Sequence, residues 1–72
     1  MIKEKVRKVE LTKQEKDIIA YISYGYTDNE ICEKIKVTNA SLRSRLSHMF
    51  NRTGTINRQH LVAWALRNKI IN

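Results

Sequence analysis

The sequence lacks the cross-links that often stabilise small proteins. Its 72 residues include a single cysteine, Cys32, so an internal disulfide is excluded. Cys32, His48 and His60 are not spaced as zinc ligands are, and we predict no metal site. Proline is absent, and Gly25 and Gly54 are the only glycines. This composition excludes a glycine-rich phosphate loop and favours helices.

Long apolar runs are also missing. No segment approaches the roughly 18 apolar residues that cross a bilayer, and the first residues do not resemble a signal peptide. We therefore expect a cytoplasmic protein without a membrane contact. The sequence offers no nucleophile–base pair and no metal cluster to which catalysis could be assigned. We expect neither enzymatic activity nor a cofactor.

Charge is distributed unevenly along the chain. Residues 1–33 contain six lysines and arginines and all seven acidic residues, whereas residues 34–72 contain eight lysines and arginines and no acidic residue. This asymmetry indicates a polyanionic partner, with nucleic acid as the first choice. The alternative explanation is that the positive charge only keeps the protein soluble. Charge alone does not decide between solubility and a polyanionic partner.

Two capping boxes indicate where helices start. Thr12 is followed three residues later by Glu15, and Thr27 by Glu30, so each side chain can satisfy the other residue's free backbone N–H. The other two helices follow single N-cap residues. Few stretches alternate with a period of two, which argues against strands. The predicted helices span about residues 13–24, 28–36, 39–52 and 58–69.

The third predicted helix has two different faces. Leu42, Leu46 and Met49 follow the i, i+4, i+7 spacing of a buried stripe. The opposite face contains small, polar and basic residues: Ala40, Arg43, Ser44, Ser47 and Asn51. A short second helix, a three-residue turn and such a third helix are typical of a helix-turn-helix, whose third helix enters the major groove of DNA. A plain helical bundle has the same periodicity, but the absence of acids on the outer face favours DNA.

The chain is divided into two unequal parts. Residues 1–10 are charged and lack a helical period, which predicts a flexible basic N-terminal arm or a frayed extra helical turn. Residues 11–72 are predicted to form one all-α, four-helix helix-turn-helix domain, because a chain of this length has room for one core.

Short motifs follow one another in a fixed order. Residues 11–15 read L-T-K-Q-E, residues 25–32 read G-Y-T-D-N-E-I-C, residues 37–43 read V-T-N-A-S-L-R and residues 52–55 read R-T-G-T. They resemble, in register, the motifs L-T-x-x-E, G-x-S/T-N-K-E-I-A, I-S-x-x-T-V-K and K-L-G-V of the LuxR/GerE-type (FixJ/NarL-type) helix-turn-helix family. The stand-alone GerE-like regulators of that family have nearly this length, so no sensor domain is expected to be missing.

The resemblance implies a transcriptional regulator that binds double-stranded DNA sequence-specifically as a homodimer. The third helix would lie in the major groove, and the fourth would supply much of the dimer contact. The implied base contacts are Arg43, Ser44 and Ser47. The implied phosphate contacts are Thr27, Thr38, Asn39, Ser41 and Arg45. We expect the dimer interface to include Trp64, Leu61 and Asn68.

Some positions depart from the family pattern. Cys32 replaces an alanine and is expected to pack as a small buried residue. Thr53 and Thr55 replace apolar residues, which predicts looser packing between the third and fourth helices. Arg58, at the start of the fourth helix, is expected to anchor the structure or the DNA backbone rather than to contact a base.

Two other functions fit part of the pattern. A sigma-factor region-four module shares the L-T-x-x-E and E-I motifs and would act through RNA polymerase, although the fourth helix argues against it. A helix-turn-helix can also serve as a protein-interaction module that binds another regulator. A homodimer that binds duplex DNA would distinguish the first function from these two.

Overall fold

The computed structural model describes residues 9–71, which form four helices and no strand. The helices are α1 (Lys13–Ser23), α2 (Asp28–Ile35), α3 (Asn39–Thr53) and α4 (Arg58–Arg67). The predicted all-α, four-helix class is therefore confirmed. The predicted N-terminal arm lies outside the described residues, except for Val9 and Glu10.

Local hydrogen bonds fix the start of each helix. Both predicted capping boxes are confirmed: the Thr12 hydroxyl accepts from the Glu15 backbone N–H while the Glu15 carboxylate accepts from the Thr12 N–H, and Thr27 and Glu30 repeat the arrangement. The side chains of Thr38 and Asn57 cap α3 and α4 in the same way, without the reciprocal carboxylate.

The helix ends use left-handed backbone conformations. Gly54 ends α3 with φ +73°, and Gly25 follows α1 with φ +88°, as their lack of a Cβ allows. Lys36 ends α2 with φ +60°, although it is not a glycine. Helix α2 therefore stops one residue earlier than its sequence pattern predicts, and the turn to α3 contains Lys36, Val37 and Thr38.

One apolar core holds the helices together. Helix α1 packs against α2 and α4, and α3 packs against the same two helices. The core side chains with no exposed surface, or almost none, come from all four helices and from the residue before the first cap: Leu11, Ile18, Ile19, Ile31, Leu42, Leu46, Met49, Leu61 and Ala65. The predicted buried stripe of α3 thus faces the core, and the opposite face is left to solvent.

The turn between α3 and α4 contains a pair of threonines. Thr55 is the buried polar side chain among the described residues. Its hydroxyl lies 2.8 Å from that of Thr53, which also donates to the Met49 carbonyl at 2.7 Å. The two hydroxyls therefore hydrogen-bond to each other at positions that are apolar in the family pattern, and the turn is held by hydrogen bonds as well as by apolar contacts.

Candidate nucleic-acid interface

The outer face of α3 is open to solvent. Helix α3 turns its apolar stripe to the core, so the residues roughly 180° away point outward. All five predicted outer-face residues are exposed: Ala40, Arg43, Ser44, Ser47 and Asn51. The strip presents short side chains and one guanidinium, with no acid along its length. It can approach a polyanion closely.

The N-termini of α2 and α3 both present hydroxyl groups. Thr27 and Thr38 are exposed, and each side-chain oxygen accepts from a backbone N–H one turn into its helix, at 3.2 and 3.1 Å. A hydroxyl that accepts in a cap still has its own hydrogen to donate. At α3, whose first turn contains no acid, the hydroxyl and the positive end of the helix dipole can bind anionic oxygens, whereas Asp28 and Glu30 in the first turn of α2 oppose such binding there.

A chain of hydrogen bonds links α2 to the first residue of α3. The Cys32 thiol donates to Oδ1 of Asn39 at 3.1 Å, and Nδ2 of Asn39 donates to Oδ1 of Asn29 at 3.2 Å. Cys32 packs against the core but is half-buried rather than buried as expected, and its sulfur also takes part in this polar contact. Sequence spacing alone could not show this network, because it depends on how α2 crosses α3.

Two other predicted phosphate-contact residues are less accessible. Ser41 and Arg45 are half-buried, on the side of α3 that borders the core. Nε of Arg45 is buried and has no hydrogen-bond partner among residues 9–71. The structure therefore places Arg45 along the flank of α3, beside rather than within the open strip.

Arg58 joins α4 to α2 through an ion pair. Its two guanidinium nitrogens donate to the two carboxylate oxygens of Asp28, at 2.5 and 3.0 Å. The hydrogen bond from Arg58 lowers the pKa of Asp28 most, and the positive charges of Arg58 and Arg43 lower it further, although partial burial opposes them. The pKa of Arg58 is raised, first by the same hydrogen bond. Arg58 thus anchors the structure, which is one of its two expected roles.

The α4 residues expected at a dimer interface occupy different environments. Leu61 has no exposed surface and packs in the core, so it cannot contact a second copy directly; its expected place in the interface is corrected. Trp64 is half-buried, and Asn68 is exposed with its amide donating to the Trp64 carbonyl. The spacing of Leu61 from its apolar neighbours in α4 fits either a surface stripe or a core stripe. The packing of α1 on α4 shows that Leu61 belongs to the core.

Sequence reasoning missed an apolar groove on the other side of α4. The groove runs between α1 and α4, has a volume of about 330 Å³, and is lined by Ile22, Ser23, Arg58, Gln59, Val62, Ala63 and Leu66. Leu66 is 49% exposed and forms part of the groove wall. The four-residue spacing between Val62 and Leu66 is the sequence signal that could have identified the groove.

Other kinds of site are not found in the described part of the chain. Within residues 9–71, no group of three histidine, cysteine or acidic side chains could hold a metal ion. No helix in this range has the length and apolar character that crossing a bilayer requires.

Comparison with known proteins gives a family match. Residues 9–65 match the family model described as bacterial regulatory proteins, luxR family. The chain is 37% identical over 62 residues to the transcriptional activator protein BjaR1 of Bradyrhizobium diazoefficiens, covering 86% of this chain and 26% of that protein. It is 31% identical over 61 residues to the oxygen regulatory protein NreC of Staphylococcus aureus, covering 85% and 28%. The chain thus spans about a quarter of the length of these relatives. No solved structure matches.

Proposed function

We propose that this chain, which belongs to the luxR family of bacterial regulatory proteins, binds duplex DNA sequence-specifically and regulates transcription as a homodimer. Its helix-turn-helix comprises α2 and α3, and α3 would lie in the major groove. Both relatives described above are named as regulators, one of them as a transcriptional activator, which supports a role in transcription.

The open strip of α3 is the observation on which the proposal depends. A helix fits the major groove, about 12 Å wide, only if its outward side chains are short or can hydrogen-bond to bases. Ser44 and Ser47 meet the first condition, and Arg43 can donate two parallel hydrogen bonds to O6 and N7 of guanine. These three residues are our proposed base contacts.

Backbone contacts would fix the orientation of α3 on the duplex. The exposed hydroxyls of Thr27 and Thr38 are positioned at helix N-termini, and we propose that they donate to phosphate oxygens. Ser41 and the far end of the Arg45 side chain would add contacts along the flank of α3. Such contacts supply affinity and little sequence preference.

Dimerisation would place two copies of α3 in successive major grooves. We propose that Trp64 and Asn68 of α4 contact the second copy, with Leu61 supporting them from the core. Two half-sites should then lie about one helical turn, roughly 10 bp, apart. A palindromic site follows from the two-fold symmetry of the dimer.

Selection from a random duplex pool tests this function. The wild-type chain should enrich one sequence with two-fold symmetry, and binding should weaken steeply as salt is raised, because counterions are released from the phosphates. Light scattering with and without the selected duplex should show two copies of the chain per site. A monomer that enriches no sequence, and that binds only a protein such as RNA polymerase, would contradict the proposal.

A further inference from the structure

The amide of Asn39 is hydrogen-bonded to two residues of α2. Its oxygen accepts from the Cys32 thiol, and its nitrogen donates to the Asn29 oxygen. With the Asn29 oxygen in this position, rotating the Asn39 amide by half a turn would bring two carbonyl oxygens together. The Asn39 amide can therefore turn only together with the exposed Asn29 amide, so the network restricts its rotation.

The two internal hydrogen bonds leave part of the amide free. A side-chain amide has two N–H donors and two acceptor lone pairs. The network uses one donor and one lone pair, so one donor and one lone pair remain. Asn39 is exposed, and both remaining groups can reach a ligand.

The position of Asn39 on α3 points to the ligand. It is the first residue of α3, and the N-terminal residues of a recognition helix meet base edges in the major groove. Arg43 lies four residues later, on the same side of the helix. The two side chains therefore face neighbouring positions along the groove.

We infer that Asn39 selects an adenine beside the base contacted by Arg43, and that Cys32 and Asn29 are positioning residues for its amide. Adenine presents the N7 acceptor and the N6 donor in the major groove, which match one amide donor and one amide acceptor. A phosphate presents acceptors only, so it would leave the free acceptor of the amide unmatched. The inference rests on the proposed function and replaces the phosphate role that the family resemblance implies for Asn39.

Binding to single-base variants of the selected duplex tests the inference. Asn39→Ala should lower affinity for the selected site by about 5- to 150-fold and abolish the preference for adenine at one position. Replacing that adenine by 7-deazaadenine, which lacks the N7 acceptor but still pairs with thymine, should weaken the wild type and leave Asn39→Ala unaffected.

A matched control uses an exposed side-chain amide outside the open strip of α3. Gln59 is the second residue of α4, and Gln59→Ala should keep both the adenine preference and the 7-deazaadenine effect. The positioning role is tested by Cys32→Ala, which removes the donor and should reduce discrimination against other bases several-fold. Cys32→Ser restores a donor and should restore discrimination, with the melting temperatures of all variants showing that the fold is intact.

The outcomes separate this inference from the proposed function. If Asn39→Ala weakens binding equally on every sequence, or if 7-deazaadenine has no effect at any position, the inference is overturned while sequence-specific binding stands. If the wild type itself selects no sequence, the proposed function fails, and the inference fails with it.

Discussion

Asp28 and Arg58 form a bidentate ion pair that joins the first residue of α2 to the first residue of α4. The pair connects the helix-turn-helix to the helix proposed to dimerise. Both side chains are 39% exposed, so solvent screens their attraction, and we expect a contribution of about 0.5–1 kcal/mol to the free energy of unfolding.

The contribution of this pair should depend on pH. The pKa of Asp28 in the folded chain is below the ordinary value of 3.8, so its stabilising effect is complete above that value and is lost as the pH falls through the lower folded pKa. Urea unfolding should show Asp28→Asn less stable than the wild type at pH 7, and the difference should shrink as the pH falls below 3.8 through the folded pKa of Asp28. Asp17→Asn, which breaks only an exposed pair with Lys13, is the control and should change stability by less than about 0.5 kcal/mol. A difference that persists at low pH would contradict the ion-pair explanation.

Glu15 should contribute more to stability than Glu30, although both complete a capping box. Glu30 accepts only from the Thr27 backbone, whereas Glu15 also accepts from Arg52 at the end of α3. We expect Glu15→Ala to cost about 1–2 kcal/mol and Glu30→Ala about 0.5–1 kcal/mol. Chemical denaturation of the two variants and of Arg52→Ala makes the comparison. Equal losses for the two glutamates would show that the Arg52 contact adds nothing.

The sequence predicted all four helix starts at the residue where the structure has them. Capping is local: Thr12 and Thr27 each find their partner three residues away, so the pattern is visible in the sequence. Helix ends were predicted within one or two residues. Helix α4 ends at Arg67 rather than near residue 69, because Asn68 bonds back to the Trp64 carbonyl and Lys69 takes φ +57° without being a glycine.

Contacts between helices were not predictable in the same way. Asp28 and Arg58 are 30 residues apart, and Glu15 and Arg52 are 37 apart. Charge patterns along one helix contain no information about a partner that another helix brings near. The burial of Leu61 has the same origin, since it follows from how α1 packs on α4. The open strip of α3 was predictable because one helix's periodicity defines both of its faces.

Arg43 should determine base preference rather than general affinity. Arg43→Ala should cost about 1–3 kcal/mol on the selected duplex and relax the preference at one base pair. The matched control is Arg67→Ala, which removes an exposed arginine from the last turn of α4 and should weaken binding to all sequences equally, if at all. Competition binding against single-base variants measures both effects. An equal loss on every sequence would make Arg43 a phosphate contact.

Trp64 should report dimerisation directly, because it is the only tryptophan of the chain. If a second copy covers its half-exposed ring, its emission should shift to the red on dilution as the dimer dissociates. The shift should follow the mass measured by light scattering. Leu66→Ala changes the groove on the other side of α4 and should leave this dissociation unchanged. Dissociation without a change in Trp64 emission would show that Trp64 lies outside the interface. A dimer that is weakened by Leu66→Ala would place the interface on the groove instead.

The two threonines of the α3–α4 turn should respond unequally to substitution by valine. Thr53 donates to the Met49 carbonyl, so in the contact between the two hydroxyls Thr55 is the donor and Thr53 the acceptor. Thr53→Val therefore leaves a buried hydroxyl unsatisfied and should cost about 1–3 kcal/mol, whereas Thr55→Val removes that hydroxyl and should cost less than about 1 kcal/mol. In the double variant the two losses should not add, because no buried hydroxyl remains to be satisfied. Thermal and urea unfolding of the three variants would measure this coupling. Additive losses would show that the hydrogen bond between the two hydroxyls does not explain why this turn tolerates threonine at two positions that are apolar in the family pattern.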